Sequence, residues 1–205
     1  MKTVKITAEE EQFCFQLEHA NAIQHWANVE QALASLVSDH WPRASRAGLY
    51  VAFYGIDSFR SKLEFADRLL HAMINGDGKL WDEWSTLRKK VEKLSAKRNK
   101  LAHWTRATYD REKPGRRVVL EMPVRSPRAK EVAPKGLLGG APDDALGVRE
   151  LVEMRFQFFG VTGELWNFQE HLAGNPDVVT NNVSKSFSLD EILADCRAYC
   201  GIPHL

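Results

Sequence analysis

The sequence predicts an all-α protein, an antiparallel four-helix bundle with a small irregular or β-hairpin arm between its third and fourth helices and a short C-terminal helix. Three observations predict it. Apolar residues recur at threes and fours through four long stretches, the period of a helix with one buried face. Strong breakers separate those stretches, and most of the connections are short, which favours antiparallel neighbours. The 205 residues are 44% hydrophobic and 27% charged, a composition that supports a core of useful size and excludes a wholly disordered or collagen-like chain.

The first helix is expected from about Ala8 to Asp39. Thr7 and Glu10 have the spacing of a capping box, a hydroxyl at the N-cap and a carboxylate three residues on. Its apolar stripe reads Phe13, Leu17, Ala20, Ile23, Trp26, Val29, Leu33 and Leu36. Trp41-Pro42 ends it, because proline drives the preceding residue out of the helical region.

The second helix is expected from about Ala44 to Ile74, with Leu49, Phe53, Ile56, Phe59, Leu63, Ala66, Leu70 and Met73 inward. Asn75-Gly76-Asp77-Gly78 stops it with residues suited to positive φ. Arg60, Glu64, Asp67 and His71 share another strip, which reads as a solvated face with local ion pairs. The third helix is expected from about Leu80 to Trp104. Its seam of Trp84, Leu87, Val91, Leu94, Arg98 and Leu101 has coiled-coil spacing, with an arginine where the pattern reserves an apolar residue.

From Thr105 to about Asp144 the character changes. Pro114-Gly115 and Gly139-Gly140 are breakers, and Arg117 to Pro123 is a strand-like run. The last long helix is expected from about Val148 to Leu172, on Leu151, Met154, Phe158, Val161, Leu165 and Phe168. Gly174-Asn175-Pro176 closes it. Ser188 and Glu191 form a second capping-box spacing for a short helix to about Cys200. The organisation expected is one helical domain over 1–205, with 105–146 as an inserted arm and 175–205 as a C-terminal extension.

Several function classes fall away. The start MKTVKITAEEE has no apolar signal core. The longest nearly apolar stretch, Ala47 to Ile56, is ten residues long. A spanning helix needs about 20, so no membrane role is expected. Three cysteines without a signal suggest reduced thiols and a cytoplasmic protein. Cys196, Cys200 and His204 have a suggestive spacing. It lacks a fourth ligand, however, and Gly201 and Pro203 interrupt it, so neither metal nor cofactor is expected.

The net charge of +1, taken alone, argues against a nucleic-acid ligand, yet the total hides the distribution. Between Arg88 and Lys130 stand 15 basic and 4 acidic residues, a local charge of +11, while the remainder carries −10. A concentrated basic segment attracts phosphate even on a near-neutral molecule, and it would equally suit an acidic protein partner.

That segment contains Arg98-Asn99-Lys100-Leu101-Ala102-His103. Arginine offers a planar fork of donors that matches phosphate, and histidine gives or takes a proton near neutral pH. Asparagine orients an imidazole or donates to a phosphate oxygen. Together they suit cleavage of an RNA backbone without metal, the histidine acting on the ribose 2′-hydroxyl or the leaving oxygen and the arginine stabilising charge on phosphorus. Asn99 and His103, four apart, stack on one helical face, whereas Arg98 and His103 lie about 140° apart around the axis. A plainer reading exists beside this one. Cations favour a helix C-terminus, and an arginine on a seam can pair with Glu64 or Asp67.

RNKLAH near the end of a bundle helix resembles the R-x4-6-H motif of the HEPN superfamily of small all-α domains. Tyr54 to Glu64 also looks like prokaryotic members with an RN-x-LAH signature. The resemblance covers about Ala8 to Trp104 and the last long helix. It implies a metal-independent endoribonuclease, toxin-like or defence-linked, whose homodimer joins two such motifs in a cleft. Arg98 and His103 would be catalytic and Asn99 the polar residue that follows the arginine. RNA would be gripped by Lys97, Lys100, Arg106, Arg116 and Arg117, and an antitoxin or other protein partner would be expected. HEPN toxins paired with a nucleotidyltransferase usually carry tyrosine two residues after the histidine, where this chain has Thr105. The alternative is a non-catalytic HEPN module that binds RNA, a nucleotide or a protein.

Overall fold

A computed structural model describes residues 7–74, 76–109, 117–122, 144–175, 191–192 and 194. The described part is mostly helical: α1 (Ala8–Ser38), α2 (Arg43–Tyr54), α3 (Phe59–Ile74), α4 (Gly78–His103) and α5 (Val148–Leu172), with a two-stranded antiparallel sheet of β1 (Thr105–Thr108) and β2 (Val118–Glu121). Residues 191, 192 and 194 are also helical, within the expected short C-terminal helix; Ser188 lies outside the described residues, as do Cys196, Cys200 and His204.

The helix ends follow from local chemistry. The capping box at α1 is reciprocal: the Thr7 amide donates to Glu10 Oε2 at 2.8 Å, and the Glu10 amide to Thr7 Oγ1 at 3.1 Å. Asp77 caps α4 by accepting from the Lys79 and Leu80 amides at 3.0 and 3.2 Å, which starts that helix two residues earlier than its apolar seam suggests. Gly174, at φ +85°, ends α5 in a Schellman turn, its amide bonded to the His171 carbonyl and that of Asn175 to the Glu170 carbonyl.

The expected second helix is two helices. Gly55 to Ser58 interrupts it, because Ser58 starts a new helix by accepting from the Ser61 amide at 3.0 Å.

The chain divides into two compact units. One comprises residues to 24, 98–156 and from 184; the other comprises 25–97 and 157–183. In the second unit, Trp26, Val29, Leu33 and Leu36 of α1 are buried, as are Leu63, Ala66 and Leu70 of α3, Trp84, Leu87, Val91 and Leu94 of α4, and Phe158, Val161, Leu165 and Phe168 of α5. The Trp26 ring sits 4.6 Å from Phe59 and 5.1 Å from Phe158 between ring centroids, edge to face. The Trp84 indole nitrogen donates to Asp67 Oδ1 at 2.9 Å, and Arg60 pairs with Glu64 at 3.0 Å.

In the first unit the buried set includes Cys14, Phe15, Ala22, Leu101, Val118, Val119, Leu120, Leu146, Leu151 and Val152. The arm does form a hairpin ladder, with Thr105 opposite Glu121 and Thr108 opposite Val118. β2 is buried at three successive positions, and Leu120 exchanges both backbone hydrogen bonds with Leu146 at 2.9 Å. β2 therefore has a hydrogen-bonded neighbour on each side, and it reads as a continuous apolar run for that reason.

The first half of α1 departs from its expected stripe. Phe13 and Ile23 are each 45% exposed, while Glu11 and Glu18 face inward at 0% and 4%. The physical reason is that both carboxylates have partners in this unit. Glu11 Oε1 accepts from the backbone amides of Arg117 at 2.6 Å and Val118 at 3.3 Å, and Glu18 Oε2 lies 3.2 Å from Arg155 Nε. A buried charge is tolerable when it is paired and hydrogen-bonded.

Candidate active site

α4 carries the RNKLAH sequence in its last two turns. Five of the six seam positions are buried: Trp84, Leu87, Val91, Leu94 and Leu101. Arg98, the sixth, is half-buried. The last turn leaves carbonyls without intrahelical donors, and one of them is met from α1. His19 Nε2 lies 3.0 Å from the Leu101 carbonyl oxygen. A carbonyl only accepts, so that nitrogen carries the proton. The Trp104 amide donates to the Lys100 carbonyl at 2.9 Å and closes the helix.

The side chains divide by face. Asn99 and His103 are exposed. Arg98 Nη1 is 3.5 Å from Asn99 Oδ1, a contact at the outer limit of a hydrogen bond. Among the described residues His103 has neither a hydrogen bond nor an ion pair, and it is exposed. Lys100 places its ammonium 4.5 Å from the centroid of the Trp104 ring, a cation–π contact that holds a positive charge beside the last turn.

The expected RNA-gripping residues are differently placed. Lys97 donates to Gln157 Oε1 at 2.6 Å. Arg106 is exposed on β1, opposite Leu120 in the ladder. Arg117 gives its backbone amide to Glu11, and its guanidinium lies 3.9 Å from the same carboxylate. It also lines a depression of about 320 Å³ with Ala8, Glu9, Gln12, Thr108 and Val118. None of Arg98, Asn99 and His103 lines that depression. Arg116 lies outside the described residues.

Sequence reasoning did not find His19, Glu11 or Glu18. A signal was present for the two glutamates. The firm half of the α1 stripe, Leu36, Leu33, Val29 and Trp26, continues backwards at threes and fours through Ala22, Glu18, Phe15 and Glu11.

Among the described residues no cluster of three His, Cys, Asp or Glu side chains could hold a metal ion, and no helix is long and apolar enough to cross a membrane. Comparison with protein families, with curated proteins and with solved structures gives no match to the chain. The described residues form a mostly helical protein with an Arg-Asn…His edge at the end of α4.

Proposed function

We propose that this is a HEPN-like domain acting as a metal-independent endoribonuclease, toxin-like or defence-linked, that cleaves RNA through attack by the ribose 2′-hydroxyl. The observation that carries the reading is the state of His103. It ends α4 exposed, without a partner among the described residues, four residues from exposed Asn99 and five from Arg98. In the proposed reaction His103 takes the 2′-hydroxyl proton, the 2′-oxygen attacks phosphorus, and the 5′-oxygen leaves with a proton to give a 2′,3′-cyclic phosphate. Arg98 stabilises the charge that accumulates on the non-bridging oxygens. A second copy of the chain brings the missing side of the site, since Arg98 and His103 stand about 140° apart on one helix.

The test is cleavage of a single-stranded RNA by the purified protein in EDTA. The expected products carry cyclic or 3′-phosphate ends. His103→Ala and Arg98→Ala should each remove cleavage while the far-ultraviolet circular dichroism stays unchanged. Cleavage by both variants at the wild-type rate would overturn the proposal. Salt-sensitive binding without turnover in the wild type would support instead the non-catalytic module.

A further inference from the structure

The helix α2 is built in a way that its own stability does not explain. Of its 12 residues only Phe53 is buried, and none is acidic. Tyr50, Val51 and Tyr54 stand in solvent at 40%, 71% and 44% exposure. Arg43 and Arg46 occupy the first turn, where the helix dipole disfavours cations. Spacings of 3, 4 and 4 place Arg43, Arg46, Tyr50 and Tyr54 within about 80° of arc, along about 16 Å of helix.

The two halves of this stripe offer different chemistry. Arg43 has no partner among the described residues, and Arg46 spends only its Nε on the Trp41 carbonyl at 3.0 Å. The nearby carboxylates that act on His40, Asp39 and Glu170, are already hydrogen-bonded to Gln169 and Asn175. The Tyr50 and Tyr54 rings lie 4.9 Å apart at 53°. Beneath them Lys62, paired with Glu30 at 2.7 Å, sits 5.4 Å from the Tyr54 centroid. One side of the Tyr54 ring is thereby occupied, and the ring is braced at its base.

We infer that this stripe of α2 is a binding surface for single-stranded nucleic acid, with bases on Tyr50 and Tyr54 and phosphates on Arg43 and Arg46. Charge decides the occupant. A basic helix without a carboxylate repels a second copy of itself across a two-fold axis, so an anionic partner is required. Adjacent exposed rings then favour a nucleic acid, because every base has a face to stack and an acidic peptide has none. About 16 Å accommodates some four or five nucleotides at 3.4 Å per step. The inference is independent of Arg98 and His103.

The experiment uses a fluorescein-labelled oligodeoxythymidine 12-mer, which has no 2′-hydroxyl and is bound without being cleaved, so the result does not depend on whether the chain is a nuclease. Anisotropy is followed across a salt series with the full chain. Arg43→Gln/Arg46→Gln should shallow the log–log salt slope by about 1.4, at about 0.7 per phosphate contact on a single strand. Tyr50→Ala/Tyr54→Ala should weaken binding by about fivefold or more per lost stack, with the slope unchanged. Tyr50→Phe/Tyr54→Phe keeps the rings and the helix, and should bind within about twofold of wild type. An unchanged slope in the arginine pair, or loss of affinity in the phenylalanine pair, would overturn the inference. So would absence of binding at 20 mM salt, or displacement by polyglutamate as effective as by the unlabelled 12-mer, which would assign the face to an acidic protein.

Discussion

Truncation of Glu11 is the sharpest test of the first unit. In Glu11→Ala the backbone amide of Arg117 loses an acceptor at 2.6 Å, and that of Val118 loses one at 3.3 Å. Leaving a buried donor unsatisfied costs about 1–3 kcal/mol, and the longer contact belongs at the low end. The Arg117 guanidinium also loses its counter-charge at 3.9 Å. Its side chain is 23% exposed, so solvent recovers part of that loss. The total comes to about 3–5 kcal/mol, the range for breaking a buried charged contact from one side. For a chain of this size each kcal/mol moves the midpoint by about 2–4 °C, so thermal unfolding should shift down by about 6–20 °C. Glu11→Gln keeps an acceptor for both amides and loses only the charge assistance, about 1 kcal/mol per bond. Urea denaturation followed by circular dichroism measures both, with exposed Glu9→Ala as control. An alanine variant within about 1 kcal/mol of that control would refute the assignment of Glu11 as the anchor of β2.

Three further outcomes are expected. Burial holds the His40 imidazole below its ordinary pKa, with Arg46 adding to the shift and Asp39 and Glu170 opposing it. The folded state thus binds the proton less well than the unfolded chain. This contribution to stability is complete above about pH 6.5 and declines as pH falls through the lower folded value. Denaturation at pH 7.5 and 5.5 reads the decline, and Arg46→Gln should raise the His40 titration midpoint in NMR; an unmoved midpoint would discount Arg46. The Tyr54 phenol is pushed up to about 12 by partial desolvation and by its hydrogen bond to Tyr50. Absorbance at 295 nm should therefore show a late-ionising tyrosine component, which Tyr50→Phe brings earlier. Gly174→Ala meets no atom within 4 Å among the described residues but keeps φ at +85°, so it should cost about 1–2 kcal/mol through backbone strain.

Legibility in the sequence tracked the range of the interactions. The Thr7–Glu10 box and the α5 stripe are local patterns; both capping bonds form and Leu151, Met154, Phe158, Val161, Leu165 and Phe168 are all buried. The position of RNKLAH at a helix end was legible for the same reason, since the segment lies within α4. The break at Gly55–Ser58 was written in a helix-capping serine, but the apolar period carries on across it through Phe53, Ile56 and Phe59 and conceals the interruption. β1 is short, polar and mostly exposed, so Thr105–Thr108 offers no alternation to read. The α1 register failed where the partners lie far along the chain. Glu11 meets amides 106 and 107 residues away; the stripe carried back from Trp26 marks it as inward, but nothing near position 11 names those partners. In a one-dimensional reading a glutamate beside Phe13 looks like the solvated neighbour of a core residue; the fold reverses the two.

The anchor of β2 has an asymmetry that bears on how this chain can change. Glu11 holds main-chain amides, which residues 117 and 118 supply whatever side chains they carry. Substitutions at 117 and 118 need not be matched by any at 11, and only proline, which lacks the amide hydrogen, deletes a donor outright. Position 11 has far less latitude: aspartate is a methylene short, no apolar residue accepts a hydrogen bond, and only glutamine keeps an acceptor at the same reach. Among related chains an invariant glutamate without a co-varying partner would mark this contact, and a search for correlated side-chain pairs would pass over it.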